Sequence, residues 1–494
     1  MKKKLAFGLA LLMALLSVVS CSETPSEQTD TNTEVVSAEA EAAAAEEETV
    51  SESPNWDAVA KPDLGGMAIN IESTIHEVNF HNKLDLEELT GERLDDAIYN
   101  RNRFVESKLN CLIKDNPATW NPGSVLETAV VAGTGEMDLA YGLIEQAGGL
   151  ITKGYLKNYK ELPNIDMTKP YWDQGALENL TILDKMYFGL LDFGFDHYES
   201  MTVLFYNGAL LNQYQLEDPY ELWVNDEWVI DKFSSMITAV SSDENGDGVY
   251  ELGTDVMGLA GREYWFQPML FASDKSLISW DKENSTFLLN MGEESFLKVA
   301  EKISEIYVPG NSDHVNYADY DLGRTAFSEG KVLFYSRLMG DYKHLRGVED
   351  DYGVIGFPRY DYSSEESYCF VQNPGTFFLP VDVSDDNGDG QDDYPEIGSF
   401  LEAIAAYTYD YTLKEYTESA VIGKGLRDQN SVTVFRKLIQ SRSFDLMHAF
   451  TFNGISDGFC MAVKSGEGFS STAQRLNKAF GKNSEKLIEA ILQN

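Results

Sequence analysis

Hydrophobic and polar positions follow two spacings along this chain, one typical of strands and one typical of helices. Met67 to Ile71 alternates with a period of two and predicts a strand, and Leu86 to Leu109 has helical spacing. A short strand at Cys111–Lys114, a helix near 123–131 and a strand at Asp138–Gly142 follow. This βαβαβ order predicts an α/β fold whose mostly parallel sheet is covered on both faces.

The alternation of strands and helices continues from residue 186 to the C-terminus. Further helices are predicted near 228–240, 296–306, 398–409, 431–441 and 473–492. A chain of 494 residues is too long for a single hydrophobic core, so we expect two α/β lobes.

The first twenty residues have the pattern of an export signal. Three lysines at positions 2–4 precede a short apolar run, which is too short for a membrane-spanning helix of about 20 apolar residues. The run ends in Val18-Val19-Ser20-Cys21, which resembles a bacterial lipobox. We therefore expect a lipoprotein signal peptide at residues 1–20 and lipidation of Cys21. The competing interpretation is an ordinary signal peptide with a chance cysteine at its end.

Residues 21–60 are rich in Ser, Thr, Glu and Ala and show no apolar period, which predicts a disordered acidic tether. A short helix across the Ala/Glu tract is the alternative. No later segment of the sequence is long and apolar enough to span a bilayer, so we expect contact with the membrane through the lipid anchor only.

The chain is strongly acidic, with a formal net charge of −43. Such a charge repels nucleic acid and anionic lipid head groups, which excludes both as direct partners. After Cys21 only Cys111, Cys369 and Cys460 remain, and this sparse, odd set is not a disulfide framework. We expect them to be small buried residues, with one disulfide pair as the alternative.

Several segments resemble family 1 extracellular solute-binding proteins. Leu204-Phe205-Tyr206-Asn207 is similar to the family's LFYN strand, and Trp228, Asp231 and Phe233 have the spacing of its W-x-x-D-x-F helix start. Other similar segments occur in the family's order at 94–103, 218–222, 326–331, 352–358 and 373–380. The resemblance extends over about residues 65–456.

This resemblance implies a two-lobed periplasmic-binding-protein-like fold, with hinge strands between the lobes and the ligand in the cleft. By the family pattern, lobe one would comprise 61–198 and 331–366, and lobe two 199–330 and 367–494. The chain would cross between the lobes near residues 198–202, 330–334 and 363–372.

The resemblance also implies a function. It predicts a monomeric, lipid-anchored binding protein on the outer face of the cytoplasmic membrane, which captures a carbohydrate such as an oligosaccharide. The protein would deliver this ligand to the permease subunits of an ABC importer and would catalyse nothing. The alternative from another class is a secreted glycoside hydrolase acting through a pair of carboxylates, which are abundant in this sequence.

Other enzyme motifs carry no function here. Gly454-Ile455-Ser456-Asp457-Gly458 matches G-x-S-x-G, but that hydrolase motif requires a histidine after the serine, and the last histidine is His448. The sequence contains no H-E-x-x-H, C-x-x-C or P-loop motif.

Sugars bind to aromatic faces and to side chains that form hydrogen bonds with hydroxyl groups. The loops that follow strands are the places where such residues are expected. We expect about half of the following to contact ligand, with Trp265 as an aromatic platform: Tyr141, Glu145, Asp196, Tyr198, Glu199, Trp265, Arg337, Asn373, Thr376 and Phe377.

Two acidic loops resemble twelve-residue Ca²⁺ loops. The first provides Asp385, Asn387, Asp389, Asp393 and Glu396 at ligand positions, with Gly390 at the turn. The second opens in the same way with Asp243, Asn245 and Asp247 but has Thr254 in place of the final carboxylate. We expect structural Ca²⁺ in the first loop and treat the second as the weaker candidate; the alternative for both is a solvated acidic turn.

Overall fold

Two larger sheets and two pairs of strands organise the protein in the computed structural model, which describes residues 53–74, 83–261, 266–307, 315–316, 320–363, 366–385, 388, 390–465 and 468–493. The strands are β1 Met67–Thr74, β2 Cys111–Thr119, β3 Leu139–Leu143, β4 Thr202–Asn207, β5 Met257–Ala260, β6 Ile278–Asp281, β7 Thr286–Leu289, β8 Val315–Asn316, β9 Val332–Leu338, β10 Tyr352–Ile355, β11 Cys369–Val371, β12 Gly375–Phe378 and β13 Arg442–Phe444.

Helices cover and connect these strands. They are α1 Pro54–Ala58, α2 Arg93–Leu109, α3 Pro122–Ala132, α4 Ala147–Lys153, α5 Gln174–Leu180, α6 Asp196–Glu199, α7 Gly208–Gln213, α8 Pro219–Val224, α9 Ile230–Val240, α10 Phe266–Ala272, α11 Glu294–Ser304, α12 Tyr320–Ser328, α13 Tyr342–Leu345, α14 Tyr394–Tyr407, α15 Gln429–Gln440, α16 Leu446–Ala449, α17 Ile455–Ser465 and α18 Phe469–Gln493. Helix α14 is followed by π-helical segments at Thr408–Thr412 and Glu415–Ile422. Within the described residues no helix has the length and apolar character needed to cross a membrane.

The first sheet has the strand order β12-β3-β1-β2, and β1 runs parallel to both β2 and β3. Helix α2 begins at Arg93 rather than at the predicted Leu86. Gly91 has a φ of 84°, and the carboxylate of Asp96 accepts hydrogen bonds from the N–H groups of Thr90 and Gly91. These contacts hold the preceding segment in a turn, so the helix starts two residues after Gly91.

The second sheet has the strand order β10-β4-β9-β5-β8, with β9 antiparallel to β4 and parallel to β5. All seven residues of β9 are buried, as expected for a central strand. This placement corrects the predicted division of the chain, because 331–366 was assigned to lobe one but its strands β9 and β10 belong to the sheet of lobe two. Conversely, β12 lies within the predicted lobe-two segment 367–494 but pairs with β3 in the first sheet.

Three chain segments run side by side between the two sheets, and we call residues 199–202, 369–372 and 441–445 the crossing segments. Met201 forms an antiparallel bridge with Val371, and the N–H of Gln372 donates to the carbonyl oxygen of Ser200 at 2.9 Å. Strand β11 pairs in parallel with β13. The predicted crossing at 330–334 is absent from this set because those residues form the turn and start of β9.

The cysteines Cys111, Cys369 and Cys460 are all buried, and no disulfide links any two of them. Burial raises the pKa of the Cys111 and Cys369 thiols to about 12 in each case. They therefore behave as small apolar core residues, and the alternative of a disulfide pair among these three is excluded.

Candidate functional site

The carboxyl ends of the parallel strands in both sheets point towards the crossing segments. In the first sheet, Thr74 of β1 pairs with Thr119 of β2, and Leu143 at the end of β3 pairs with Gly375, three residues after the crossing at 369–372. In the second sheet, the end of β9 pairs with Thr202, where β4 leaves the crossing. Ligands of open α/β sheets bind at such strand ends, so this edge is the candidate site.

Hydrogen bonds connect loops from different parts of the chain along this edge. The backbone N–H of Glu145 donates to Asn373 Oδ1 at 3.2 Å, and Thr451 Oγ1 donates to the carbonyl oxygen of Glu145 at 2.7 Å. Gln267 Nε2, at the start of α10, donates to Ser456 Oγ at 2.6 Å. We call the following set the strand-end surface, in which Gln267 is the buried member: Trp120, Asn121, Glu145, Gln146, Gln267, Asn373, Thr451 and Ser456.

Trp120 is the exposed aromatic residue of the strand-end surface. It follows β2 directly, and 58% of its surface is accessible. Asn121 fixes the turn because its side chain accepts a hydrogen bond from the N–H of Ser124, and Pro122 then starts α3. The sequence prediction missed Trp120, although an aromatic residue between a strand and an Asn-Pro helix start was an available signal.

Glu145 and Asn373 are the predicted ligand residues that the structure brings together at this surface. Glu145 is exposed in the 3₁₀ turn Ile144–Gln146, and Asn373 is half-buried with a φ of 49°. Their backbone-to-side-chain hydrogen bond orients the Asn373 amide and leaves the Glu145 carboxylate at the surface, where it can accept hydrogen bonds from hydroxyl groups.

Tyr141, Thr376 and Phe377 lie beneath the strand ends rather than on the surface, because β3 and β12 are covered on both sides. All three are buried, and the rings of Tyr141 and Phe377 have centroids 4.4 Å apart. Phe377 also stacks on Phe193 with an interplanar angle of 3°. In this structure they contribute to the packing that supports the site.

The α6 residues Asp196, Tyr198 and Glu199 are also fully buried, at the entry to the first crossing segment. Tyr198 donates its hydroxyl hydrogen to Asp192 Oδ1 at 2.8 Å, and Glu199 accepts from Lys343 Nζ at 2.7 Å. Because all three side chains are buried, the structure places them in the support of the crossing rather than on the strand-end surface.

Asp196 is the most perturbed carboxyl group of this region. Burial, reinforced by the negative charge of Glu199, raises the pKa of Asp196 to about 8. Its side chain lies against Gly375, where any Cβ atom would clash with Asp196 Oδ2 and with the Tyr141 ring. Gly375 is therefore required by close packing at the point where β12 begins.

Arg337 is buried near the end of β9, with its Nε 3.6 Å from Asp341 Oδ1. Asp341 also accepts a hydrogen bond from the Tyr335 hydroxyl at 3.0 Å. This buried charge cluster is internal to the second lobe. Trp265, the predicted aromatic platform, lies outside the described residues.

No protein-family model and no curated relative matches this sequence, whereas solved structures match most of it. The GacH receptor of Streptomyces glaucescens, solved unliganded and with acarbose, is 15% identical, with a TM-score of 0.53 over 85% of this chain and 99% of the receptor. A maltose/maltodextrin-binding domain from Bdellovibrio bacteriovorus, bound to maltotriose, is 13% identical, with a TM-score of 0.53 over 86% and 100%. An extracellular solute-binding protein from Staphylococcus aureus, in complex with maltose, is 13% identical, with a TM-score of 0.54 over 84% and 97%.

This chain has the fold of the maltose- and maltodextrin-binding proteins. The predicted two-lobed α/β fold, with a cleft between lobes, is thereby confirmed. The resemblance to family 1 extracellular solute-binding proteins is confirmed at the level of the fold. In this maltodextrin-binding-protein fold the strand-end surface receives residues from both sheets, since Glu145 follows β3 and Gln267 follows β5.

Outside the cleft, the two predicted calcium loops of this maltodextrin-binding-protein fold open with the same hydrogen bonds. Asp243 accepts from the N–H groups of Gly246 and Gly248, and Asp385 accepts from those of Gly388 and Gly390, at 2.7 to 2.8 Å. Asn387 and Asp389 lie outside the described residues. Among the described residues, no group of three or more His, Cys, Asp or Glu side chains is arranged to hold a metal ion.

Hydrogen bonds to a buried aspartate hold the C-terminal end of the loop that begins at Asp243. Asp255 is fully buried and accepts hydrogen bonds from the N–H groups of Glu244 at 2.9 Å and Glu251 at 2.7 Å. These hydrogen bonds hold the pKa of the Asp255 carboxyl below its usual value. Asp393 occupies a similar buried position before α14, and Glu396 is half-buried in the first turn of that helix.

Proposed function

We propose that this protein is an extracellular solute-binding protein that captures a carbohydrate, an oligosaccharide rather than a single sugar, for an ABC importer. The observation that carries the proposal is the match of its fold, over most of the chain, to binding proteins solved with acarbose, maltotriose and maltose. The strand-end surface supplies the required chemistry, because it combines the exposed ring of Trp120 with the carboxylate of Glu145 and the amide of Asn373.

In this proposal Trp120 offers a flat apolar face to the C–H groups of a sugar ring, and Glu145 and Asn373 fix its hydroxyl groups. Trp265 remains a proposed second platform, since it directly precedes Phe266 and Gln267 at the start of α10. The ligand would be held between the lobes, and closing of the lobes around it would present a defined surface to the permease.

The proposal includes attachment to the outer face of the cytoplasmic membrane through lipidated Cys21. It rests on the lipobox-like segment Val18–Cys21, which lies outside the described residues. The remaining membrane contact would be with the permease subunits, with the protein acting as a monomer. The high net negative charge supports a body that stays in water above an anionic membrane surface.

Titration of the purified protein with maltose, maltotriose and unrelated oligosaccharides tests the proposal. We expect saturable heat with at least one oligosaccharide, and a melting temperature that rises with its concentration because the ligand binds only the native state. Chromatography of the same mixtures should show the oligosaccharide unchanged. Shortened product, lost on replacing a single carboxylate, would instead identify a glycoside hydrolase.

We also propose structural Ca²⁺ in the loop that begins at Asp385, with Asn387, Asp389, Asp393 and Glu396 as further ligands, and a weaker site at Asp243, Asn245 and Asp247. The support is the shared loop opening and the oxygen-rich ligand set that Ca²⁺ prefers. The ion would hold the loop in front of α14 and would take no part in ligand capture.

A chelator should therefore lower the melting temperature of the protein, and added Ca²⁺ should restore it. Glu396→Gln should reduce this response because it removes the carboxylate that can bind Ca²⁺ through both oxygens. Glu283→Gln is a matched control, since Glu283 is exposed in the β6–β7 turn, far along the chain from both loops. An identical melting curve with and without chelator, in metal-stripped buffer, would show that both loops are solvated acidic turns that do not bind Ca²⁺.

A further inference from the structure

A second concave site lies on the flank of the second lobe. It is a cavity of about 520 Å³ between α8, α10, α15 and the segment that leads from β10 to β11. Its volume falls within the range of about 300–1,000 Å³ that is typical of small-molecule sites. None of the residues that line it belongs to the strand-end surface, and its floor includes Thr202, Cys369 and Ser441 of the crossing segments.

Aromatic side chains border this cavity from three directions. Trp223 lies in α8, one residue before its end, while Tyr362 and Tyr368 belong to the segment before β11, and all three are half-buried. The guanidinium carbon of Arg359 lies 4.2 Å from the centre of the Tyr362 ring. Arg359 Nε also donates to the carbonyl oxygen of Asp361 at 3.0 Å, so contacts within the protein hold this guanidinium against the wall of the cavity.

Three polar side chains at the rim of the cavity are available to form hydrogen bonds with a ligand. Asp226, Lys437 and Gln440 are exposed, and in the described part of the chain none of their side chains forms a hydrogen bond or an ion pair. Together they offer a carboxylate that accepts, an ammonium that donates and an amide that does both. A ring bearing several hydroxyl groups can pair with all three, whereas a purely apolar ligand would leave them desolvated without partners.

The charged residues that line the cavity are one carboxylate, Asp226, and two cations, Arg359 and Lys437. Arg359 is held by the Tyr362 ring and the Asp361 carbonyl oxygen, so Asp226 and Lys437, which have opposite charges, are the charged groups left at the rim. A neutral ligand therefore fits better than an anion or a cation. From this geometry we infer that the flank cavity is a second saccharide site, which binds one neutral hexopyranose ring against Trp223 and Tyr368 independently of the strand-end surface.

Fluorine NMR of the full chain labelled with 5-fluorotryptophan tests this inference. The Trp223 resonance is assigned by its loss in Trp223→Phe, and the probes are glucose, galactose and mannose. We expect at least one of them to shift the Trp223 resonance saturably, both in the wild type and in Trp120→Ala. Lys437→Ala should weaken this binding about tenfold, the effect of losing a hydrogen bond to a charged group, whereas exposed Lys478→Ala should leave it unchanged.

A Trp223 resonance that moves with none of the three sugars would overturn the inference. So would a shift that follows the same curve as the Trp120 resonance and disappears in Trp120→Ala, because it would then report the cleft. The Trp120 resonance follows the strand-end surface separately with oligosaccharides. Failure of the proposed function and failure of the second site therefore give different spectra.

Discussion

Replacing Arg442 with methionine is expected to destabilise the native state by about 3–5 kcal/mol at neutral pH. Arg442 lies in the third crossing segment and donates from Nε and Nη2 to Asp173 Oδ2 at 3.0 and 2.6 Å. Its guanidinium carbon also lies 4.3 Å from the centre of the Tyr198 ring. The substitution would leave the Asp173 carboxylate buried without its cation, and urea unfolding followed by circular dichroism would measure the loss.

The loss of stability in Arg442→Met should depend on pH, and the ionisation of Asp173 determines the direction of this dependence. Burial alone would raise the pKa of this carboxyl, but Arg442, His197 and the N–H of Ala176 together hold the pKa below its usual value. In the wild type, Asp173 therefore contributes stability at neutral pH that is lost as the pH falls through the lowered pKa. Without Arg442, burial dominates and the pKa of Asp173 rises. Protonation of Asp173 then removes its buried charge, so the loss of stability in Arg442→Met should shrink as the pH falls towards about 4.

Arg436→Met provides the matched control on the adjacent helix α15. Arg436 pairs with Glu418 at 2.9 Å, but their side chains are 58% and 47% exposed. Solvent screening limits such a pair to about 0–1 kcal/mol, and this small cost should change little between pH 7 and about 4. Equal losses for the two variants, or a loss in Arg442→Met that does not shrink in acid, would contradict the role assigned to Arg442.

This buried pair also shows why only part of the site could be predicted from the sequence. The strands β1 to β3 carry their pattern locally, in residues that alternate or cluster within a few positions, so they were predicted at nearly correct places. Asp196, Tyr198 and Glu199 form an equally visible polar and aromatic cluster, which was interpreted as a ligand site. Their burial depends on partners such as Lys343, which is 144 residues away along the chain, and no local pattern encodes that distance.

The division of the chain between lobes failed for the same reason. The buried pattern of β9 identifies a central strand but does not say which sheet contains it. The structure was needed to show that β9 pairs with β4 and β5, and that β12 joins the first sheet by pairing with a strand more than two hundred residues earlier. Residue pattern therefore predicts the fold class well, whereas the pairing of distant segments decides which polar residues reach the cleft.

Trp120 presents the converse case, a residue that the structure assigns to the site and that the sequence prediction omitted. Trp120→Ala is expected to weaken oligosaccharide binding at least tenfold, which corresponds to about 1.4 kcal/mol. The physical reason is the loss of an apolar face of the kind that contributes about 0.5–1.5 kcal/mol beyond area burial, together with the area itself. Calorimetric titration with the oligosaccharide that binds the wild type would measure the change.

Melting of the ligand-free protein distinguishes this role from a packing role. Because 58% of the Trp120 surface is accessible, its removal should leave the melting temperature nearly unchanged. Trp172→Ala is the opposite control, since Trp172 is fully buried and its removal creates a cavity costing about 3–5 kcal/mol. If Trp120→Ala instead bound the oligosaccharide as tightly as the wild type, the strand-end surface would lose its aromatic platform and Trp265 would become the residue to test.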